Sequence, residues 1–468
     1  MRILQATAEF FPFSKTGGLA DMVAGLSGAL ARSGKEVTVA TPLYKEVRNG
    51  NYDIAPCGSE FEIKLGQDSF NGQWWETRTA SGVQVLFLEN EGFYNRPGLY
   101  MSGSDGYWDN PERFMFLSKA VAQISHKYDV VHVHDWQTAF VPMLLKLSQQ
   151  GKVPRTILTI HNLAYQGQCE GSRFDITNLS SSYFTQEGPE YWGELNYLKA
   201  GLHYADQITT VSPGYAKEIL TPEFGEGMEG VLQSRKVNLT GILNGVDYEQ
   251  WSTEKNLLLP KPYNKSDLSG KFACKTFLKS KFNFPSTNLP LYGTISRLAH
   301  QKGIDILIES LHQILCERLA HVIILGSGDE CLVNQLNLLA NKFPDAMRFV
   351  EGYDNGLAHL IEAGSDFYVM PSRFEPCGLN QLYSLRYGTP PIVHAVGGLH
   401  DTVKDLPDIN ATGIKFYEPT SDKLCEAINN SLNLYKDQKA LNALRIRGME
   451  EDFSWQSSLT EYHRLYET

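Results

Sequence analysis

A chain of 468 residues has room for two or three domains of ordinary size, each with its own core. Hydrophobic residues make up 42% and charged residues 20%, and the 40 glycines and 21 prolines follow no period, which excludes a disordered chain, a collagen-like fibre and a charge-rich coiled coil. With 53 acidic against 42 basic residues the formal charge is −11, so no general attraction to nucleic acid or to an anionic membrane is expected, although local basic clusters can still bind phosphates.

In chain order, residues 2–8 read as a strand, Gly17-Gly18 as a turn and 19–32 as a helix, followed by a strand at 36–41. Further strands are expected at 83–88, 130–134, 156–160 and 207–211, with helices at 112–126 and 138–149 between them. Residues 251–287 are richer in Lys, Pro, Asn and Ser and read as a connecting region with one short helix. The rhythm then restarts: strand 291–296, helix 303–316, strand 321–325, helix 330–342, a strand near Phe349, helix 357–363, strand 366–370, helix 379–387 and strand 391–395. Helices within 421–435 and 439–449 follow, and 454–466 looks helical. Strand-helix alternation of this kind predicts an α/β protein with parallel sheets covered by helices on both faces, in two halves. The expected divisions are 1–250, a connector at 251–287, 288–452, and a terminal helix at 453–468 that packs on the first domain.

No apolar run reaches the length needed to span a bilayer, and Glu9 interrupts any secretory pattern in a segment that already reads as a strand. The seven cysteines are scattered, with no Cys-x-x-Cys pair and no disulfide framework, which suits a reducing cytoplasm.

The chemistry-bearing residues fall where strands end. Lys15-Thr16-Gly17-Gly18-Leu19-Ala20-Asp21 follows the first strand and opens a helix. Glycines let backbone approach a ligand, a helix start offers N–H donors to an anion, and Lys15 adds a point charge, although a Gly pair is also an ordinary turn. His132, His134, Asp135 and Trp136 end another strand. Two histidines and a carboxylate can hold a metal, but the sequence sets no further ligand, so none is expected. Asp135 and Trp136 suit sugar hydroxyls and a sugar face, or else a helix cap and a packed ring. His161-Asn162 ends the next strand, and Asn244-Gly245 ends another, where it is also a common turn signal. In the second half Arg297 and Lys302 share one loop and can clamp neighbouring phosphates. Gly326-Ser327-Gly328 reads as a tight strand-to-helix turn, and Pro371 to Gln381 leads into a helix past Glu375, Cys377, Gly378 and Leu379.

Together these strings resemble the bacterial and plant glycogen/starch synthase family over essentially the whole chain. The resemblance runs through Lys-Thr-Gly-Gly-Leu-Ala-Asp at 15–21, Tyr-Trp-Asp-Asn-Pro-Glu-Arg-Phe at 107–114, His134-Asp135-Trp136, 161–167, 244–247, 296–303, Ser-Arg-Phe-Glu-Pro-Cys-Gly-Leu at 372–379, 387–389, 397–399 and 453–455. It implies two Rossmann-like domains facing across a deep cleft, the fold named GT-B. The implied activity is retaining transfer of glucose from ADP-glucose to the non-reducing-end 4-hydroxyl of an α-1,4-glucan, with ADP released and no metal or other cofactor. It further implies that Lys15 and Gly17-Gly18 contact the donor, with Glu9 and Asp21 in support. Arg297 and Lys302 would neutralise the leaving diphosphate, Gly378 and Leu379 would add backbone donors, and Glu375 would hold glucose hydroxyls beside Cys377. His161, with Asp135, Asn162 and Asn244 alongside, would meet the transferred glucose. Trp136 and the Tyr94-Asn95 pair would meet the acceptor, and Tyr353 would stack on the base. Two positions depart from the family, Asn380 in place of a usual Thr and His400 in place of a small residue or proline, while Tyr383, where wider relatives often carry a second glutamate, fits the synthase branch. The alternatives are a related transferase using UDP-glucose or another acceptor, and a glucan-binding protein that has lost catalysis. Oligomeric state is not legible.

Overall fold

The computed structural model describes residues 1–103, 105–148 and 153–467. The chain forms two compact units, one of Met1–Gly245 with Trp455–Thr468 and the other of Val246–Ser454. Among the described residues no helix is long and apolar enough to cross a membrane.

Among the described residues, the main sheet of the first unit has nine strands. Their spatial order is Leu239–Gly241, Gln207–Thr210, Arg155–Ile160, Val130–His134, Arg2–Ala6, Glu36–Pro42, Gln84–Glu89, Asp68–Arg78 and Ala55–Leu65. The first seven run parallel, with Ile3 facing Val37 on one side and Val130 on the other. Helices cover both faces, which is why the central strands read as nearly continuous apolar runs. The expectation of a parallel sheet needs correction at one edge. The two longest strands, Ala55–Leu65 and Asp68–Arg78, form an antiparallel hairpin. Only Gly66 and Gln67 join them, and a connection that short forces antiparallel pairing, with Gly66 at φ +62. The helix expected at 138–149 is two pieces, Asp135–Thr138 and Val141–Leu147, the second starting with Pro142 near its first turn; Gln149 lies outside the described residues.

The terminal helix, Trp455–Glu467, belongs to this unit and buries Trp455, Leu459, Tyr462 and Tyr466, a stripe at three- and four-residue spacing. Its Trp455 indole occupies the space beside Gly25, where any Cβ would come within 2.0 Å of the ring nitrogen.

The second unit carries six parallel strands in the order Met347–Glu351, His321–Gly326, Leu291–Ile295, Phe367–Met370, Pro391–His394 and Ile414–Phe416. On one face Ile304–Cys316 and Ser421–Lys436 supply Leu307, Leu311, Leu424 and Ile428. On the other, Ser269–Lys281 and Asn355–Gly364 supply Cys274, Leu278, Leu360 and Ile361. Here the structure differs from the composition-based reading of 251–287 as a connector. Trp251, Leu259, Tyr263 and Phe284 are buried in this same core, apolar anchors that a Lys- and Pro-rich average conceals.

Candidate functional site

In each sheet the chain starts from one strand and builds outward in both directions, and ligands of doubly wound sheets bind beyond the carboxyl ends of the strands flanking that switch. In the first unit those strands are Arg2–Ala6 and Val130–His134; in the second they are Leu291–Ile295 and Phe367–Met370. The expected site residues lie just past them or their parallel neighbours.

At the first switch the turn after strand Arg2–Ala6 is held by Glu9. Its carboxylate accepts from Thr16 N–H (2.6 Å), Thr16 Oγ1 (2.6 Å), Gly17 N–H (3.2 Å) and the Tyr100 hydroxyl (2.7 Å). Four donors leave Glu9 organising the turn. Lys15 Nζ stands 2.8 Å from Asp21 Oδ2, one turn into helix Gly18–Arg32. Burial pushes the Asp21 carboxyl up, against the pull of the Lys15 ammonium. A Cβ built on Gly17 meets nothing within 4 Å, and its φ of −157 suits any residue. Packing therefore does not require glycine at 17; what it leaves is open space beside N–H groups at a helix start.

Asp135 follows strand Val130–His134 in a left-handed conformation, φ 54, rare for a residue with a side chain. The turn brings Oδ1 to 2.7 Å from His161 N–H and 3.5 Å from Asn162 N–H, so one carboxylate ties two strand ends together. Burial lifts this carboxyl to about 7, opposed by those two N–H groups. The half-buried His161 ring contacts His134, Nε2 to Nδ1 at 3.0 Å, and burial pushes His161 down to about 3, so it is neutral. Asn162 Oδ1 turns back onto Ala164 N–H. Asn244, past strand Leu239–Gly241, is 5% exposed, and among the described residues its Oδ1 has no hydrogen-bond partner. A buried amide oxygen left unpaired costs about 1–3 kcal/mol, so Asn244 Oδ1 is an acceptor not yet spent.

Trp136 is half-buried: Phe114 and Tyr197 pack edge-on at 5.0 and 5.8 Å, and Gly167 leaves room for the ring. Tyr94, expected beside the acceptor, is corrected. It is fully buried and donates its hydroxyl to Arg113 O at 2.7 Å, so it holds the core under the 107–114 segment.

In the second unit Lys302 Nζ lies 2.6 Å from Glu375 Oε2, which also accepts from Ser372 Oγ at 3.0 Å. Gly303, at φ +63, closes the Lys302 turn; a Cβ there would come to 2.1 Å from Pro371 O, so only glycine lets the two loops meet. Arg373 fixes the same turn by gripping both Asp305 oxygens, at 2.7 and 2.6 Å. Arg297 is exposed and, among the described residues, its guanidinium has no hydrogen-bond or ion-pair partner. Gly326 and Gly328 allow the neighbouring loop to reach Ser296 O and Leu298 O, keeping the end of strand Leu291–Ile295 in register.

Cys377 is buried, and Gly398 is required for the next loop to reach its carbonyl. Gly378, at φ +72, and Leu379 lead into the short helix Asn380–Arg386. Asn380 spends its amide N–H2 on Ile295 O (2.6 Å) and the Tyr368 hydroxyl (2.8 Å), tying that helix to the strand end. The His400 side chain is exposed, and Tyr383 stacks on Trp251 with centroids 3.7 Å apart. Tyr353 is exposed, its hydroxyl 3.3 Å from Asn355 Oδ1.

Two sets of residues are thus gathered within the first unit, around Glu9 and around Asp135, and one within the second, around Glu375. Trp136, Asn244, Arg297, Asn380 and Tyr353 stand outside these clusters. Tyr100, Thr16, Ser372 and Arg373 were not anticipated. Thr16 and the two residues beside Glu375 lay inside quoted motifs, but no spacing rule marks which neighbour donates, and Tyr100 is 91 positions from its partner.

Residues 2–234 match the family model described as the starch synthase catalytic domain, and 276–445 the model described as glycosyl transferases group 1. The chain is 40% identical over 482 residues to glycogen synthase 1 of Geobacter metallireducens, covering 100% of this chain and 95% of that one. It is 43% identical over 475 residues to the glycogen synthase of Myxococcus xanthus, covering 100% and 99%. Among solved structures, the catalytic domain of starch synthase IV from Arabidopsis thaliana, bound to ADP and acarbose, superposes with a TM-score of 0.93 at 30% identity, covering 99% of this chain and 98% of that one. A sucrose-phosphate synthase from Thermosynechococcus elongatus, with a TM-score of 0.62 at 18% identity over 100% and 98% of the two chains, shares the fold alone.

Proposed function

Because this chain belongs to the glycogen synthase family, we propose that it extends an α-1,4-glucan by transferring glucose, with retention, from ADP-glucose to the non-reducing-end 4-hydroxyl, releasing ADP. The chain is a glycosyltransferase, and the observation that best carries the chemistry is that two cations, Arg297 and Lys302, follow strand Leu291–Ile295 in one stretch of chain. Arg297 is exposed and its guanidinium has no hydrogen-bond or ion-pair partner among the described residues, and Lys302 is aimed by a 5% exposed carboxylate, Glu375. A diphosphate leaving group develops charge as the glycosidic bond breaks, and preorganised cations stabilise it at the moment it forms. Arg297 and Lys302 have that role, with the backbone at Gly378 and Leu379 supplying further donors and Cys377 lining the site.

Glu375 has one oxygen committed to Lys302 and Ser372, and the other, Oε1, is the proposed grip on glucose hydroxyls. His161, neutral, and Asn244, whose oxygen has no partner among the described residues, suit the transferred sugar. Asp135 holds the His161 backbone, and Asn162, held by the same carboxylate, lies alongside the transferred sugar. Lys15 meets the donor from a turn that Glu9 and Asp21 hold, and Gly17 and Gly18 keep that turn open. Trp136 offers part of a ring to the acceptor, and Tyr353 an exposed ring to the base. No metal or other cofactor has a part in this reading, and no carboxylate is assigned as general base or nucleophile. A reducing cytoplasm is the proposed compartment, since the seven cysteines form no disulfide among the described residues.

A side-by-side assay with ADP-glucose and UDP-glucose on glycogen tests the proposal. Faster elongation with ADP-glucose is expected. Equal or faster elongation with UDP-glucose overturns the donor assignment, and no elongation with either leaves the glucan-binding reading in its place.

A further inference from the structure

The polar side chains inside the first unit's sheet form one continuous hydrogen-bonded chain that begins at the terminal helix. Tyr466 Oη accepts from Gln5 Nε2 at 3.2 Å and lies 2.8 Å from His132 Nδ1. His132 Nε2 is 2.5 Å from Thr159 Oγ1, which is 2.5 Å from Thr209 Oγ1. In the other direction Gln5 Oε1 is 2.7 Å from His134 Nε2, and His134 Nδ1 is 3.0 Å from His161 Nε2. Gln5, His132, His134, Thr159 and Thr209 are 0% exposed and Tyr466 is 3% exposed, so water does not break the chain.

Burial holds the three imidazoles neutral, His132 and His161 at about 3 and His134 also well below its ordinary value. Each ring therefore carries one N–H and one lone pair. Gln5 Oε1 has only lone pairs, which assigns the proton of His134 to Nε2 and leaves His134 Nδ1 bare. His161 Nε2 must then donate, and His161 Nδ1 keeps a lone pair that can accept from a hydroxyl. Everything turns on the Gln5 amide. Rotated by half a turn, it would present N–H to His134, reverse both rings and convert His161 Nδ1 into a donor. The far side of that amide meets Tyr466 Oη, and because this hydroxyl also contacts His132 Nδ1, the amide can turn over only if the Tyr466 proton, the His132 tautomer and the Thr159 and Thr209 hydroxyls all reverse with it.

We propose that Tyr466 is a positioning residue for His161: its hydroxyl, delivered 461 positions along the chain from Gln5, holds the amide and so fixes the tautomer and ring orientation of His161. The idea rests on the proposed role of His161 at the transferred sugar. There a lone pair and an N–H are not interchangeable, because one accepts from a hydroxyl and the other donates to it.

The test is histidine ¹⁵N NMR on the full-length, unliganded protein, with the His161 signal assigned by its absence from the His161→Ala protein. The wild type should show one neutral tautomer, protonated at Nε2. Tyr466→Phe should turn this into a mixture of tautomers or an exchange-broadened signal, and Gln5→Leu, which removes the other half of the link, should do the same. Leu459→Ala loosens the same helix without touching the polar chain and should leave the signal unchanged. With ADP-glucose and glycogen, Tyr466→Phe should lower kcat about tenfold, the scale of losing a supporting hydrogen bond behind a site residue, and move KM less. A wild-type His161 protonated at Nδ1, an unchanged single tautomer in Tyr466→Phe, or the same spectral change in Leu459→Ala overturns the proposal. A changed spectrum with intact kcat supports the positioning role and counts instead against His161 as a sugar contact.

Discussion

Lys302 Nζ and Glu375 Oε2 lie 2.6 Å apart although 73 positions separate them in the chain. Gly303 and the Arg373–Asp305 grip make this possible by letting one strand-end loop rest on the other. Lys302→Ala should therefore cut kcat for glucan elongation by about 10²–10³, the scale of removing one preorganised charge-stabilising donor, while circular dichroism reports a folded protein. Elongation at the wild-type rate would falsify the assignment of Lys302 to the leaving group.

Glu9 makes a different kind of contribution, because its carboxylate receives four donors from Thr16, Gly17 and Tyr100. Glu9→Gln replaces one oxygen by N–H2, which must face at least one of those donors. Losing such a buried bond costs about 1–3 kcal/mol. The expected result is a lower urea midpoint and a raised KM for ADP-glucose. Tyr100→Phe, which removes a single donor, should have the same effects at smaller size. A Glu9→Gln protein with both quantities unchanged contradicts the role given to the turn.

Two glycines should respond in opposite ways. Gly17 has open space where a Cβ would stand and an extended backbone, so Gly17→Ala should melt as the wild type does and bind the donor more weakly. Gly303 has φ +63 and Pro371 O in the way, so Gly303→Ala should lower stability by about 2 kcal/mol or more and disturb Lys302. Thermal melting and donor KM on both variants separate the two cases. A destabilised Gly17→Ala shows that the space serves packing.

Asp135 gives a pH dependence with a definite sign. Burial raises its carboxyl from 3.8 in the unfolded chain to about 7, so between those values the folded protein keeps a proton that the unfolded chain has released. The resulting stabilisation is complete below about 4 and is lost as pH rises to about 7, at up to about 1.4 kcal/mol per pH unit. His132 and His161, pushed down from 6.5 to about 3, act in the opposite sense: their contribution is present above about 6.5 and lost as pH falls toward 3. Asp135→Asn keeps an acceptor for His161 N–H, tolerates the left-handed backbone and cannot titrate. Measured by urea denaturation, the stability of Asp135→Asn minus that of the wild type should rise between pH 4 and 7. A flat difference rules out the buried titration.

The strand-to-helix rhythm and the motifs at strand ends were legible because both are local. A buried parallel strand needs a short apolar run, a covering helix needs a periodic apolar stripe, and a loop that approaches a ligand needs glycine and charge beside the strand end. Val130–His134 and Glu330–Lys342 run as expected for that reason. The hairpin of 55–65 and 68–78 was not legible, because its alternation is interrupted by charged and small residues and its register shifts between Cys57 and Phe61. The anchors Trp251, Tyr263 and Phe284 were hidden by the polar composition around them.

By itself the sequence determined two α/β units, their order and the side chains available at their strand ends, since burial period and turn chemistry are written residue by residue. Only the tertiary structure decided which of those side chains are already spent. It gave Tyr100 to Glu9, amide N–H groups to Asp135, Glu375 to Lys302 and Tyr466 to Gln5, while leaving Arg297 and Asn244 Oδ1 without partners among the described residues. The physical reason is that a hydrogen bond depends on a few ångströms between atoms, and packing of distant elements sets that distance where sequence spacing cannot.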